Sequence, residues 1–462
     1  MDANLIDKFI AIVGAKNAIT DATEQASYLK EWRDMWRGTT PVVLRPANTA
    51  EVSAIMNLAH ETNTQIVPQS GNTGLVNGQI PQGDEVLLSL NRMTKIISVD
   101  AADNSITVEA GCILKNIQDA ADEVDRLFPL SLASEGSCRI GGNLSTNAGG
   151  LNVLAYGNAR ELCLGLEVVL ADGRVWNGLK RLRKDNTGYD LKDLFIGAEG
   201  TLGVITAAVM KLFPRPKRND TAFCAAPSLQ AALDLLNRAK EASGNRVVAF
   251  ELLAAIGVEF AVKHMGAVNP LSAPSPWYVL FEFADSSAEA MEYCLEHAYA
   301  RGVVLDAAIA QTQAQRQAFW HLRESLSESQ KFEGGSIKHD VSVPVSKVPE
   351  FIETAMAAVH AFMPDARPCP FGHMGDGNIH FNVSQPVGMD KHAYLAQWPA
   401  MNEVVFAEVL KRGGSISAEH GIGRLKATDM LKIKSPLEIE LMRGLKLLLD
   451  PKNILNPGRV LP

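Results

Sequence analysis

The sequence has no run of about 18 consecutive apolar residues, the minimum for a membrane-crossing helix. Its opening residues, Met1-Asp2-Ala3-Asn4, carry neither the basic stretch nor the apolar core of a secretory signal. Both absences predict a chain that stays in the compartment where it is made, the cytoplasm. The six cysteines, Cys112, Cys138, Cys163, Cys224, Cys294 and Cys369, form no C-x-x-C pair. That excludes a zinc ribbon, argues against a disulfide framework, and predicts reduced thiols. Positive charge is also in deficit, with 44 Lys+Arg against 52 Asp+Glu and a net charge of -8. Such a surface repels phosphate backbones and anionic membranes, so nucleic acid is not an expected partner. Neither G-x-G-x-x-G between a strand and a helix nor G-x-x-x-x-G-K-[ST] occurs, which removes support for nicotinamide and P-loop readings.

What is present describes a globular chain of more than one domain. At 462 residues, with 47% hydrophobic and 21% charged, it can bury a sizeable core, and about 150 residues per domain implies at least two units. Residues 42–44 and 65–67 read as strands flanking a helix that starts at the cap residues Asn48 and Thr49. Short β-branched runs near 86–88, 96–99 and 106–108 make the first third strand-rich, with few helices. Ala171-Asp172-Gly173 separates strands 164–170 and 174–176 as a hairpin turn, and 204–213 reads as the last strand of this region. Residues 214–220, with two prolines and a charge run, read as an exposed linker. Strands at 221–226, 246–252, 277–283 and 303–310 then alternate with helices, an α+β layer with helices on one sheet face. The resulting expectation is a first domain over 1–218, a second over 219–418, and a helical C-terminal segment over 419–462 that packs back on the first.

Three segments are built for backbone to approach a ligand. They are Ser70-Gly71-Asn72-Thr73-Gly74 after a strand, the run from Gly141 to Gly150, and Gly197-Ala198-Glu199-Gly200-Thr201-Leu202-Gly203. Glycine marks tight turns generally, but three such loops in one domain point to a nest of N–H groups for phosphate.

A second constellation lies in Phe371–Val383. From Asn378 onward the alternation puts Asn378, His380 and Asn382 on one strand face and Ile379, Phe381 and Val383 on the other. His373 lies seven positions before His380, on the opposite face of a straight strand, but Gly375-Asp376-Gly377 supplies a break able to bring the two imidazoles together. Glu419-His420 adds a carboxylate and a third imidazole. Two histidines and a glutamate with an open position suit catalytic zinc, and manganese or iron accepts the same donors; ordinary hydrogen-bonded histidines are the plain alternative. In 337–343 alternation places Lys338, Asp340 and Ser342 on one face, and Arg323 and Ser327 stand i and i+4 along a helix.

Taken together, 68–74, 136–150, 184–190 running into 197–203, and the terminal Asn456-Pro457-Gly458 resemble the FAD-linked 2-hydroxy-acid dehydrogenases, flavoproteins of the vanillyl-alcohol oxidase type. The resemblance extends from about Arg33 to the C-terminal motif and departs at Ser70, where the family usually has glycine. It implies an FAD-binding domain of two subdomains, an α+β substrate domain with an antiparallel sheet, and non-covalent FAD. The matching FAD positions are Pro68, Ser70, Gly71, Asn72, Thr73, Gly74 and Leu75; Gly136, Ser137, Ile140, Gly141 and Gly142; Asn147, Ala148, Gly149, Gly150, Tyr156 and Gly157; and Glu199, Gly200, Gly203, Ile205 and Asn456. It further implies that His373, His380 and Glu419 bind a divalent metal, zinc foremost. His420 is then the base and a substrate contact, Arg323, Ser327 and Lys338 contact substrate carboxylate, and Asn382 orients it.

The implied reaction is oxidation of an R-configured 2-hydroxy acid by hydride transfer to flavin N5. A distal carboxylate held by Arg323 and Lys338 favours a dicarboxylate such as 2-hydroxyglutarate over lactate or glycolate. D-lactate, D-malate and glycolate oxidation stay open within the family. With no nicotinamide loop, an electron-transfer flavoprotein or a quinone is the implied acceptor, and a homodimer is implied by resemblance alone. A metal-dependent hydrolase would use the same His/His/Glu set but leaves the glycine loops unexplained, and a non-catalytic flavin-binding module has no use for the polar strand faces.

Overall fold

The computed structural model describes residues 1–462, which divide into two compact units. Met1–Gly150, Gly157–Arg215 and His420–Pro462 form the first; Leu151–Tyr156 and Pro216–Glu419 form the second.

The first unit holds two main sheets and a two-stranded ribbon. The smaller runs Ala18–Ile19, Val43–Leu44, Val86–Ser89, Ile66–Gln69, with the last three strands parallel. Parallel neighbours need a crossover, and helix Thr49–Thr62 provides part of it. Its start is fixed by Asn48, whose Oδ1 accepts from Glu51 N at 2.9 Å, a cap worth about 1 kcal/mol. Val52, Ile55, Met56 and Ala59 form its buried stripe, and it stops where Asn63 turns to φ 55°. The larger sheet is antiparallel throughout, in the order Ile96–Asp100, Ser105–Glu109, Val204–Lys211, Cys163–Val169, Val175–Gly178. Its last pair is the hairpin expected from Asp172-Gly173, with Gly173 at φ 84°. Helices Ala3–Val13, Ala22–Leu29 and Leu114–Asp122 make this unit more helical than the sequence suggests.

The C-terminal segment belongs to this first unit. Helices Ala427–Ile433 and Pro436–Leu449 follow an irregular stretch, and Leu455 adds a parallel bridge to Ile66. The fully buried Arg459 side chain donates to Glu85 Oε2 at 2.9 Å, Ile80 O at 2.7 Å and Pro457 O at 2.7 Å.

In the second unit eight strands form an antiparallel sheet, ordered Asp306–Ile309, Asn219–Ala226, Trp277–Ala284, Val247–Ala254, Arg367–His373, Asn378–Ser384, Ser336–Ile337, with Asp340–Ser342 also paired to Asn378–Ser384. Helices cover both faces rather than the one expected. Phe223, Leu253, Leu280 and Phe371 pack against Val258, Phe319 and Leu322 of helices Ala255–Met265 and Gln313–Glu324. Cys224, pointing the opposite way, faces Cys294 of helix Ala290–Ala300. The reason is local: all eight residues of Val247–Ala254 are buried, so both faces need cover.

Three further expectations need correction. The linker is shorter than 214–220: Phe213–Pro214 pairs with Arg126–Leu127 and a strand already begins at Asn219, because Asn219 and Asp220 are in register with Ala284 and Phe283 of the neighbouring strand. Val303 and Val304 precede the strand Asp306–Ile309, since their amides close helix Ala290–Ala300 onto Ala298 O. The strand 337–343 is interrupted at 338–339, where the His339 ring Nδ1 meets Phe381 O at 2.8 Å. All six cysteines are buried and free.

Replacing Arg459 by Ala leaves Glu85 buried without its main counter-charge. It should destabilise the protein by about 3–5 kcal/mol, seen as a lower midpoint in denaturant titration; an unchanged midpoint would show that the C-terminal segment is not anchored through this pair.

Candidate active site

The glycine loops of the first unit interlock. A Cβ on Gly71 would stand 2.7 Å from Ser137 O and 2.9 Å from the Cys138 Cα, so the first loop lies on the second with no room for a side chain. Short helix Ile140–Ser145 follows, and its end receives the third loop: Gly197 N donates to Leu144 O at 3.0 Å and Glu199 N to Ser145 O at 2.8 Å. Asn456 Nδ2 donates to Glu199 O at 2.8 Å, bringing the terminal motif to the same place.

Several side chains here hold the cradle in shape. Asn72 Nδ2 donates to Ser27 O and Lys30 O, each at 3.0 Å, and Asn147 Oδ1 accepts from Arg160 N at 3.0 Å. Gln79 Nε2 reaches Gly74 O at 2.9 Å, the Leu75 carbonyl takes an Arg33 Nη2–H, and Ser137 Oγ donates to Ser134 O at 3.2 Å. The Glu199 carboxylate accepts Ile422 N–H and Gly423 N–H, both at 2.7 Å, fixing the loop just after His420. Burial raises its pKa while the two amides oppose that rise. By contrast, the buried Ser70 Oγ, Asn77 Oδ1, Asn143 Oδ1 and Asn456 Oδ1 have no partner within the protein. Buried polar atoms seldom stay unpaired, so orphaned groups around a backbone cradle fit a polar nucleotide such as FAD. Ile205 is buried in Val204–Lys211, Gly157 belongs to this unit, and Tyr156 falls in the second.

In the second unit the histidine pair is assembled by a hairpin. His373 ends strand Arg367–His373, His380 lies in Asn378–Ser384, and Gly377 at φ 89° makes the turn, where a Cβ would stand 2.1 Å from Val343 O. The imidazole centroids come to 5.4 Å. One donor atom from each of His373, His380 and Glu419 lies within 4.8 Å of the others, and His373 Nε2 stands 3.7 Å from Glu419 Oε1. Glu419 is placed by its backbone, whose N–H donates to Asp340 Oδ2 at 2.9 Å. Asp340 in turn accepts from Asn378 Nδ2 at 3.0 Å.

Behind this cluster lies Glu251, which the sequence reading missed. It is fully buried, and its carboxylate takes the His373 Nδ1–H at 2.7 Å and the Arg323 Nε–H at 2.6 Å. Burial alone would raise its pKa, but the Arg323 guanidinium and the His373 imidazole together pull it well below the usual carboxylate range. The lone charge in the otherwise apolar strand Val247–Ala254 was a signal that could have found it. Arg323 also lies over the Phe371 ring, 5.1 Å from its centroid, and that ring is 5.1 Å from His380. Arg323 therefore adjoins the histidine cluster. Lys338 Nζ donates to Ser327 Oγ at 2.8 Å and Ser327 O at 3.0 Å, joining two of the residues assigned to substrate carboxylate. Asn382 Nδ2 turns to Gln330 Oε1 at 3.1 Å. His420 follows Glu419 in the chain and opens the segment counted with the first unit.

Residues 215–460 match the family model for FAD linked oxidases, C-terminal domain, and residues 40–178 match that for the FAD binding domain. The chain belongs to the FAD-linked oxidases. It is an FAD-dependent oxidoreductase, which removes the hydrolase alternative. A D-2-hydroxyglutarate dehydrogenase, mitochondrial, of Danio rerio is 40% identical over 449 residues, covering 96% of this chain and 83% of that protein. The protein of that name in Arabidopsis thaliana is 38% identical over 472 residues, covering 100% and 82%. A D-2-hydroxyglutarate dehydrogenase of Xanthomonas citri pv. viticola is 36% identical over 448 residues, covering 96% and 93%. Among solved structures, p-cresol methylhydroxylase superposes with a TM-score of 0.77 at 17% identity, covering 99% of this chain and 96% of that one. At that identity the likeness speaks for the fold, the vanillyl-alcohol oxidase type.

Gly141→Val tests the cradle. A Cβ there would lie 2.7 Å from the Ala110 Cβ and 2.9 Å from Ala110 O, pushing helix Ile140–Ser145 off the turn that follows strand Ser105–Glu109. The variant should purify with substoichiometric FAD, measured as a reduced ratio of flavin absorbance near about 450 nm to protein absorbance; full flavin content would show that the contact does not shape the site.

Proposed function

We propose that the protein oxidises a D-2-hydroxy acid, D-2-hydroxyglutarate foremost, to the 2-oxo acid, with a divalent cation, zinc foremost, held by His373, His380 and Glu419. The observation that carries this reading is the cation-ready cluster with Arg323 beside it, joined through Glu251 and Phe371, in a chain whose family binds FAD. Three donors with an open position suit zinc bound to a chelating substrate. The names of the relatives support the substrate.

In this reading the substrate's C1 carboxylate and hydroxyl face the cluster, and the guanidinium of Arg323 and the ammonium of Lys338 receive the distal carboxylate. Ser327 holds Lys338 in place for that contact. His420 takes the hydroxyl proton as the C2–H bond breaks and the carbonyl forms. When bound, FAD supplies at N5 the acceptor for the hydride, and the cation supplies the Lewis acidity that lowers the hydroxyl pKa. Glu199, by bonding Ile422 and Gly423, keeps the loop after His420 from drifting. An electron-transfer flavoprotein or a quinone is the proposed final acceptor. The six buried free thiols support a reducing compartment, the cytoplasm foremost.

The test is an anaerobic visible spectrum before and after each of D-2-hydroxyglutarate, D-lactate, D-malate and glycolate. D-2-hydroxyglutarate should bleach the flavin band fastest; faster bleaching by a monocarboxylate would overturn the roles of Arg323 and Lys338. His420→Ala should abolish turnover with FAD and zinc still bound, and retained turnover would remove His420 as the base.

A further inference from the structure

Glu251 and its neighbour Glu282 make an internal comparison. Both are lone acids in buried strands, and both receive an arginine from helix Gln313–Glu324. Glu282 gives its carboxylate to Arg316 in a fork, Oε2 to Nε and Oε1 to Nη2, each at 2.7 Å, and its Oε2 also accepts from Trp320 Nε1 at 3.2 Å and from Thr221 Oγ1 at 2.7 Å. That is a saturated pair, which holds helix to sheet. Glu251 is divided instead: Oε2 meets only the Nε of Arg323, at 2.6 Å, because Oε1 is taken by His373 Nδ1 at 2.7 Å. A buried charge shared between two side chains that both border the reaction site does more than join helix to sheet.

We propose that Glu251 is a positioning residue for both ends of the substrate. One carboxylate oxygen holds the His373 imidazole with Nε2 turned toward Glu419, where a cation is ligated. The other holds Arg323 by Nε, leaving the two Nη groups as the fork for the distal carboxylate of a dicarboxylic substrate. The strand register fixes the first contact, since Glu251 and His373 are direct partners across adjacent antiparallel strands. The Phe371 ring beneath the guanidinium fixes the plane of the second. Cation affinity and selectivity for a dicarboxylate therefore depend on one side chain that touches neither ligand. This inference rests on the metal and substrate reading above.

Glu251→Gln decides it. Glutamine has one acceptor oxygen for two donors, and its amide N–H groups face either the imidazole N–H or the guanidinium. In metal-stripped, FAD-loaded protein, calorimetric titration with zinc should give a Kd about 10- to 100-fold weaker than wild type. The ratio of kcat/KM for D-2-hydroxyglutarate to that for D-lactate should fall by about tenfold or more, because only the former presents a distal carboxylate. A merely structural role would lower the yield of folded, yellow protein and leave that ratio alone. Zinc affinity and substrate preference both at wild-type values in the soluble variant would overturn the proposal, as would a loss of one without the other.

Should Glu251→Gln fail to fold, Glu251→Asp takes its place. It keeps the charge one methylene short of spanning both partners, so it should show partial losses in both readouts, and wild-type values would again overturn the inference. Wild type and His380→Ala serve as controls. If wild type takes up no zinc, the metal reading falls and this inference falls with it. If wild type binds zinc and His380→Ala does not, while Glu251→Gln titrates like wild type, only the role of Glu251 is lost.

Discussion

The second unit is organised around the cost of burying the Glu251 carboxylate. An ionised group taken out of water at the middle of a sheet is tolerated only with cationic or strong hydrogen-bonding partners close by. Here those partners arrive from two directions, Arg323 from a helix and His373 from the adjoining strand. The requirement ties helix Gln313–Glu324 to the sheet at one height and fixes the imidazole of the strand end. Removing the charge would ease the burial penalty, but it would also release both partners. Such a group is poorly explained as a contributor to stability and well explained as a device that sets geometry.

Arrangement in the first unit follows the opposite logic. There the cradle is made from close backbone approach, with Gly71 against Ser137 and Cys138, and the amides of Gly197 and Glu199 on the end of helix Ile140–Ser145. The side chains of Asn72, Asn147 and Glu199 tie that cradle together. The buried oxygens of Ser70, Asn77, Asn143 and Asn456 have no partner within the protein.

Local signals were legible and long-range ones were not. Helix Thr49–Thr62, the Asp172-Gly173 hairpin and the His373/His380 turn are each specified by residues within a few positions of one another, and each matches its sequence expectation. The cover on the second sheet face was missed because a continuous apolar strand reads the same whether one side or both are buried. The break at Lys338-His339 was missed for a related reason: alternation cannot show that a side-chain nitrogen has taken over a carbonyl of the neighbouring strand. Glu251 is 122 positions from His373 and 72 from Arg323, so no spacing rule connects them. Its trace in the sequence is a single acid in an apolar run, and Glu282 leaves the same trace with a structural outcome.

That ambiguity shows what distinguishes a positioning carboxylate from a structural one. The Glu282 carboxylate meets one arginine with both oxygens, and its remaining partners, Trp320 and Thr221, are neutral donors. At Glu251 the same charge is divided between a guanidinium and an imidazole, so neither partner is saturated and each keeps donors or a lone pair to present elsewhere. Strand composition supplies the buried acid in both cases. What differs is the partner across the ladder: Glu251 faces His373 at the end of a hairpin strand, whereas Glu282 faces Ala249 and Thr221. Register, a property of the whole sheet, sets one of two similar glutamates against the candidate cation cluster.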